Sequence, residues 1–198
     1  MERGDPGTAL SLFRQAEETW RARDDRAMAA YAVAMQGYVR RVRGEYAQAI
    51  ACSEQALAMV AGTADEEYPA RALAHKNMGL CWMALGELER GRQALEESLR
   101  MYESLNDTVN VGMLLHDLGL SCEMEGDLRR AAGYYQGALA RWEQLGNPGP
   151  WANTLNGLGV IYYWQGEYDQ ALTLLDQALQ KSQQAGDLRV EAYVWASL

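Results

Sequence analysis

The sequence predicts an all-α fold, a solenoid of antiparallel helix pairs. Three observations predict it: a gapless internal repeat, glycines at two fixed places in each repeat, and small and apolar residues recurring at helical spacing. The repeat is read in GEYAQAIACSEQAL from Gly44, GELERGRQALEESL from Gly86, GDLRRAAGYYQGAL from Gly126 and GEYDQALTLLDQAL from Gly166, at spacings of 42, 40 and 40 residues. Seven residues before each of these glycines stands another: Gly37, Gly79, Gly119 and Gly159.

Each unit reads as two helices joined at a Gly-Glu or Gly-Asp turn. In the second helix, Tyr46, Leu88, Leu128 and Tyr168 follow the turn glycine by two residues. Small residues come next at Ala49, Gly91, Ala131 and Ala171, then at Ala56, Ser98, Ala138 and Ala178. Offsets that recur in this way place one buried stripe on each helix. The first helix carries Leu115, Leu118 and Cys122, matched by Leu155, Leu158 and Tyr162. A glycine inside a helix costs about 1 kcal/mol against alanine. Four of them at one repeat position therefore mark a place where only a hydrogen fits, and the second helix is expected to cross the first there. The turn glycines suit a left-handed helix end. Asp107 and Asp187 suit caps, and Pro150 suits a first turn. The second repeat is the most irregular, with His75 at an aliphatic position and Gly91 in place of alanine.

The paired helices of LGLSCEMEGDLRRAAGYYQGAL and LGVIYYWQGEYDQALTLLDQAL resemble the tetratricopeptide repeat. The period of 40 departs from the usual 34. It resembles the long-helix variant of kinesin light chains, LGN-type polarity adaptors and the sensor regions of large bacterial LuxR-type and nucleotide-switch regulators. The resemblance implies a right-handed superhelical array through the whole chain. Its parts are a second helix of a partial repeat at 4–23, four repeats at 24–63, 64–105, 106–145 and 146–185, and the first helix of a truncated repeat at 186–198. Gly4, Ala9, Phe13 and Ala16 fit the second-helix pattern, while Trp195 and Leu198 correspond to Leu155 and Leu158. Solenoids close with polar caps, so these apolar half-repeats predict a fragment of a larger protein. They also predict head-to-tail self-association through the terminal helices, a heterologous contact.

Composition narrows the function. The chain has 198 residues, 48% of them hydrophobic, which excludes general disorder. No apolar run approaches the roughly 20 residues of a membrane helix, and the N-terminus lacks a secretory pattern, so the expected compartment is the cytoplasm. Cys52, Cys81 and Cys122 are read as free thiols. A formal charge of −9 argues against direct nucleic-acid binding, although Arg21, Arg23, Arg26, Arg40, Arg41 and Arg43 cluster early. His75 and His116 lie on different repeats, and there is no HExxH, CxxC or phosphate-binding glycine loop. No enzyme activity, metal or cofactor is expected.

By the resemblance, first helices line a concave groove. The residues carried onto it are Tyr31, Ala34, Tyr38 and Arg41; Leu73, Lys76, Asn77, Leu80 and Met83; Met113, His116, Asp117, Leu120 and Glu123; and Asn153, Asn156, Val160, Tyr163 and Trp164. Aromatic and Met anchors mixed with amides suit an extended or helical peptide. The clamp that co-chaperones close on a C-terminal carboxylate needs Asn where this chain has Leu80, Leu120 and Val160, so that role is not expected even though Lys76 is present. An Asn precedes the Leu-Gly in the long-repeat adaptors. Asn77 fits that pattern, whereas Asp117 and Gly157 replace it.

Two functions follow. The first is a protein- or peptide-binding scaffold, the interaction or sensing segment of a larger bacterial regulator. The second is an inducer sensor like that of maltose-type transcriptional activators, with a pocket near His116, Tyr163 and Trp164. A spacer between flanking domains is a third reading.

Overall fold

The computed structural model describes residues 5–62 and 68–197, which form ten helices and no strand. They fall into two compact units, Met1–Asn106 and Asp107–Leu198. The first holds α1 (Pro6–Ala22), α2 (Arg26–Val42), α3 (Tyr46–Met59), α4 (Tyr68–Ala84) and α5 (Leu88–Ser104). The second holds α6 (Thr108–Met124), α7 (Leu128–Leu145), α8 (Pro148–Trp164), α9 (Tyr168–Ala185) and α10 (Leu188–Ser197). Gly4, Leu198 and the start of the expected second repeat lie outside the described residues.

In the first unit α2 packs on α3 and α4 on α5, with α2 and α4 side by side and α1 against α2. Val33, Ala34, Ala56, Leu73 and Ala74 form one core there, and Met78, Trp82 and Ala94 another. In the second unit α6 packs on α7 and α8 on α9, while α8 also touches α6 and α10. Its cores are Cys122, Ala131, Tyr135, Leu158 and Ile161, then Ala152, Leu155, Ala178, Val190 and Val194. Burying each large side chain among these contributes about 1.5–3 kcal/mol.

Both expectations about glycine hold. At the turns, Gly44, Gly86, Gly126 and Gly166 have φ of 77–83°. The Gly44 N–H donates to the Arg41 carbonyl and the Glu45 N–H to the Arg40 carbonyl, and the same pair of bonds recurs at the other three turns. This double closure satisfies carbonyls that the helix end leaves open. At the crossings, a Cβ on Gly119 would meet the Tyr135 ring at 2.6 Å, and one on Gly159 would meet Leu175 at 3.0 Å. In the irregular repeat, a Cβ on Gly79 would lie 2.9 Å from the Gly91 carbonyl, and one on Gly91 would lie 2.9 Å from the Gly79 carbonyl. The two backbones are thus close enough to require glycine on both helices.

Asp and Glu act differently at the helix starts. Asp25, Asp107 and Asp127 accept from the N–H three residues on, at 2.9–3.1 Å, and Asp187 accepts from Val190. Glu45, Glu87 and Glu167, one methylene longer, make no such bond. Pro148 opens α8 after Asn147, with Pro150 in the same first turn. Buried polar side chains bond across helices: Ser98 Oγ donates to the Ala72 carbonyl at 2.7 Å, and Asn77 Nδ2 to the Ala34 carbonyl at 2.9 Å. All three cysteines are free. Cys81 and Cys122 are buried, and Cys52 is half-buried.

Candidate functional site

In the second unit the first helices α6, α8 and α10 line a cleft of ≈ 290 Å³. Its walls are His116, Leu120 and Glu123 from α6; Asn153, Asn156, Gly157 and Val160 from α8; and Tyr193, Ala196 and Ser197 from α10. Tyr135 of α7 closes it from behind.

The helix spacing explains the wall. Residues three or four apart share a helix face, which puts His116, Leu120 and Glu123 in line and sets Asn153, Asn156 and Val160 opposite. Tyr135 reaches the cleft because glycine stands on either side of its ring. A Cβ on Gly119 would come within 2.6 Å, and one on Gly157 within 2.9 Å. The Tyr135 hydroxyl donates to Glu123 Oε2 at 2.6 Å. Burial raises its pKa far above the ordinary phenol value and the nearby Glu123 and Asp117 carboxylates raise it further, so the proton stays on Tyr135.

His116 has a defined protonation state. Thr154 Oγ1 lies within 3.1 Å of His116 Nδ1, accepts from Trp142 Nε1 at 3.1 Å and donates to the Pro150 carbonyl at 2.9 Å. A hydroxyl has one proton and two acceptor sites. The indole N–H can only donate and the carbonyl can only accept, so all three contacts are satisfied when His116 Nδ1 carries the hydrogen. Nε2 is then an acceptor. Burial lowers the His116 pKa to about 4, keeping the ring neutral at pH 7. Asn156 Oδ1 is buried with no hydrogen-bond partner.

Of the groove residues read from the sequence, His116, Leu120, Glu123, Asn153, Asn156 and Val160 meet at this cleft. Met113 is exposed elsewhere on α6, and Asp117 is half-buried outside the cleft wall. Tyr163 and Trp164 are also absent from the wall. They are more than half exposed at the end of α8, where Tyr163 meets Tyr168 edge-on at 5.6 Å.

In the first unit Tyr31 and Tyr38 are exposed on α2, Arg41 covers the Tyr38 ring at 5.3 Å, and Lys76 and Leu80 are half-buried on α4. Four groove assignments need correction. Ala34, Leu73, Asn77 and Met83 are buried. Asn77 is held by the Ala34 carbonyl and Met83 packs on Gly91, so neighbouring helices occupy the space a ligand would need. A more open cleft of ≈ 480 Å³ lies along α4 and α5, lined by His75, Trp82, Arg90 and Arg100 among others, with Arg90 stacked on Trp82 at 4.1 Å.

Sequence reasoning missed Tyr135 and Tyr193. The glycine pair Gly119 and Gly157, on adjacent first helices, is the signal that could have pointed to a large ring between them. Among the described residues no cluster of three or more His, Cys, Asp or Glu side chains could hold a metal, and no helix is long and apolar enough to cross a membrane.

Paired helices closed by glycine turns and crossed at glycine define a helical repeat protein. Three tetratricopeptide-repeat models match the chain at residues 34–105, 71–144 and 151–185, and the chain belongs to that family. It is 27% identical over 139 residues to anaphase-promoting complex subunit cut9 of Schizosaccharomyces pombe, a match covering 70% of this chain and 19% of that protein. The chain therefore spans about a fifth of that curated relative. Its fold is similar to that of aspartyl phosphate phosphatase F from Bacillus subtilis, with a TM-score of 0.82, 17% identity, and 93% of this chain and 48% of that one covered. It is also similar to a Rap protein complexed with competence and sporulation factor, with a TM-score of 0.79, 18% identity, and coverage of 93% and 51%.

Proposed function

We propose that this chain is a peptide- or protein-binding scaffold, the cytoplasmic interaction or sensing segment of a larger bacterial regulatory protein, and that the α6–α8–α10 cleft is its recognition site. The observation that carries the reading is the composition of that wall. Leu120, Val160 and Tyr193 offer apolar area, while Asn153, Asn156 and neutral His116 offer hydrogen bonds suited to a peptide backbone. The fold neighbour complexed with competence and sporulation factor is consistent with it. No catalytic role is assigned to the chain. A second copy is a further candidate partner, since Tyr193 and Trp195 of α10 are both more than half exposed.

The inducer-sensor reading is the alternative. The cleft is open and lacks Tyr163 and Trp164, which favours an extended ligand over an enclosed small molecule. Affinity selection from a mixed peptide library, run beside a metabolite panel followed by thermal shift, tests the choice. Retained peptides that are lost on Val160→Asp support the scaffold. A metabolite that raises Tm, with no peptide retained, overturns it in favour of the sensor.

A further inference from the structure

Resting on that reading, we infer that the α6–α8–α10 cleft recognises a basic side chain, the lysine or arginine of a peptide partner. Three independent features converge on a ligand that donates hydrogen bonds and carries positive charge.

The first is charge. Neither α6 nor α8 contains a single Lys or Arg, whereas α6 carries Asp117 and Glu123. In α10 the one base, Arg189, is exposed at the start of the helix near Asp187 and takes no part in the cleft. The bases of α7 and α9 lie on second helices and likewise do not line it. Among the described residues Glu123 is therefore the only charged side chain in the wall, and no Lys or Arg answers it there.

The second is hydrogen-bond polarity. The Tyr135 hydroxyl already donates to Glu123, which spends the one strong donor at the back of the cleft. What remains for a donating ligand is the rest of the Glu123 carboxylate and His116 Nε2, beside the Asn153 and Asn156 amides and the Tyr193 hydroxyl, which donate as well as accept. A carboxylate in a half-buried wall gains a charge-assisted hydrogen bond from a ligand that donates to it. A carboxylate ligand would face a like charge at Glu123.

The third is shape. Leu120, Val160 and the Tyr193 ring flank the acceptors. A long aliphatic stem fits along that apolar flank while its charged head reaches Glu123, the usual disposition of Lys and Arg side chains.

The test follows the His116 ring by NMR while Nα-acetyl-lysine, -arginine, -norleucine and -glutamate methylamides are titrated into the 198-residue chain. The lysine and arginine amides should shift the His116 signals saturably, at least about tenfold more tightly than norleucine, as expected for a charge-assisted hydrogen bond. Glu123→Gln, which keeps an acceptor for Tyr135, should erase that preference while leaving the circular dichroism and the norleucine response unchanged. Equal binding of norleucine, tighter binding of glutamate, or no saturable shift with lysine overturns the inference. The mixed-library selection reports separately on the scaffold reading. Retained peptides without enrichment of Lys or Arg sink the basic-side-chain inference and leave the scaffold standing, whereas no retained peptide removes both.

Discussion

A Cβ on Gly119 would stand 2.6 Å from Cε1 of Tyr135, so the ring of α7 rests directly on the backbone of α6. The ring cannot retreat, because Gly157 of α8 confines its other side at 2.9 Å by the same measure. Gly119→Ala should destabilise by about 1–3 kcal/mol, because overpacking outweighs the gain of roughly 1 kcal/mol from removing a helical glycine. Gly133, also helical, has nothing within 4 Å of its Cβ direction, and Gly133→Ala should stabilise by about 0.5–1 kcal/mol. Urea unfolding of the pair reads both signs. Equal effects would contradict the crossing geometry.

Glu167 fails as a cap where Asp127 succeeds, although both follow a turn glycine. Glu167→Asp should bring the carboxylate to the N–H of Gln170 and raise stability by about 0.5–1 kcal/mol. Thermal unfolding would show the increase. The reverse change, Asp127→Glu, should lower Tm.

Stability should fall in mild acid because of His116. Its pKa is about 4 in the folded chain against 6.5 for the free side chain. A depressed folded pKa means the unfolded chain binds more protons between these values. The stabilisation is therefore full above about pH 6.5 and is lost as pH falls toward 4. From pH 7 to pH 5 the loss should be about 1.5–2 kcal/mol from this residue. Burial pushes His75 in the same direction. Urea midpoints at the two pH values, measured for the natural chain and for His116→Gln, isolate the His116 share. An unchanged slope in the variant would refute it.

Asn77 is 1% exposed and bonded to the Ala34 carbonyl, so it ties α4 to α2. Asn77→Asp should cost about 3 kcal/mol or more at pH 7, since an ionised carboxylate would face a carbonyl oxygen out of reach of water. A protonated Asp can donate to that oxygen. Its folded pKa would therefore be raised, and the deficit against the natural chain should shrink toward pH 4. Unfolding free energies of both chains across this range check the prediction.

The sequence alone determined the helix pairs, the turn positions and the crossing points. Each rests on a local rule: a left-handed φ that favours glycine, a 3.6-residue period, an aspartate within reach of a backbone N–H. It also fixed the absence of Lys and Arg from α6 and α8. Tertiary structure decided which first-helix residues face open space. Asn77 and Asn156 occupy nearby slots of their repeats and each has an unpaired side-chain oxygen, yet the Asn77 amide N–H is bonded to a neighbouring helix whereas Asn156 borders the cleft. It also brought Tyr135 between two glycines onto Glu123, and assigned the His116 proton through Thr154 and Trp142. These outcomes depend on the distances between helices, and a repeat pattern within each helix cannot encode them residue by residue.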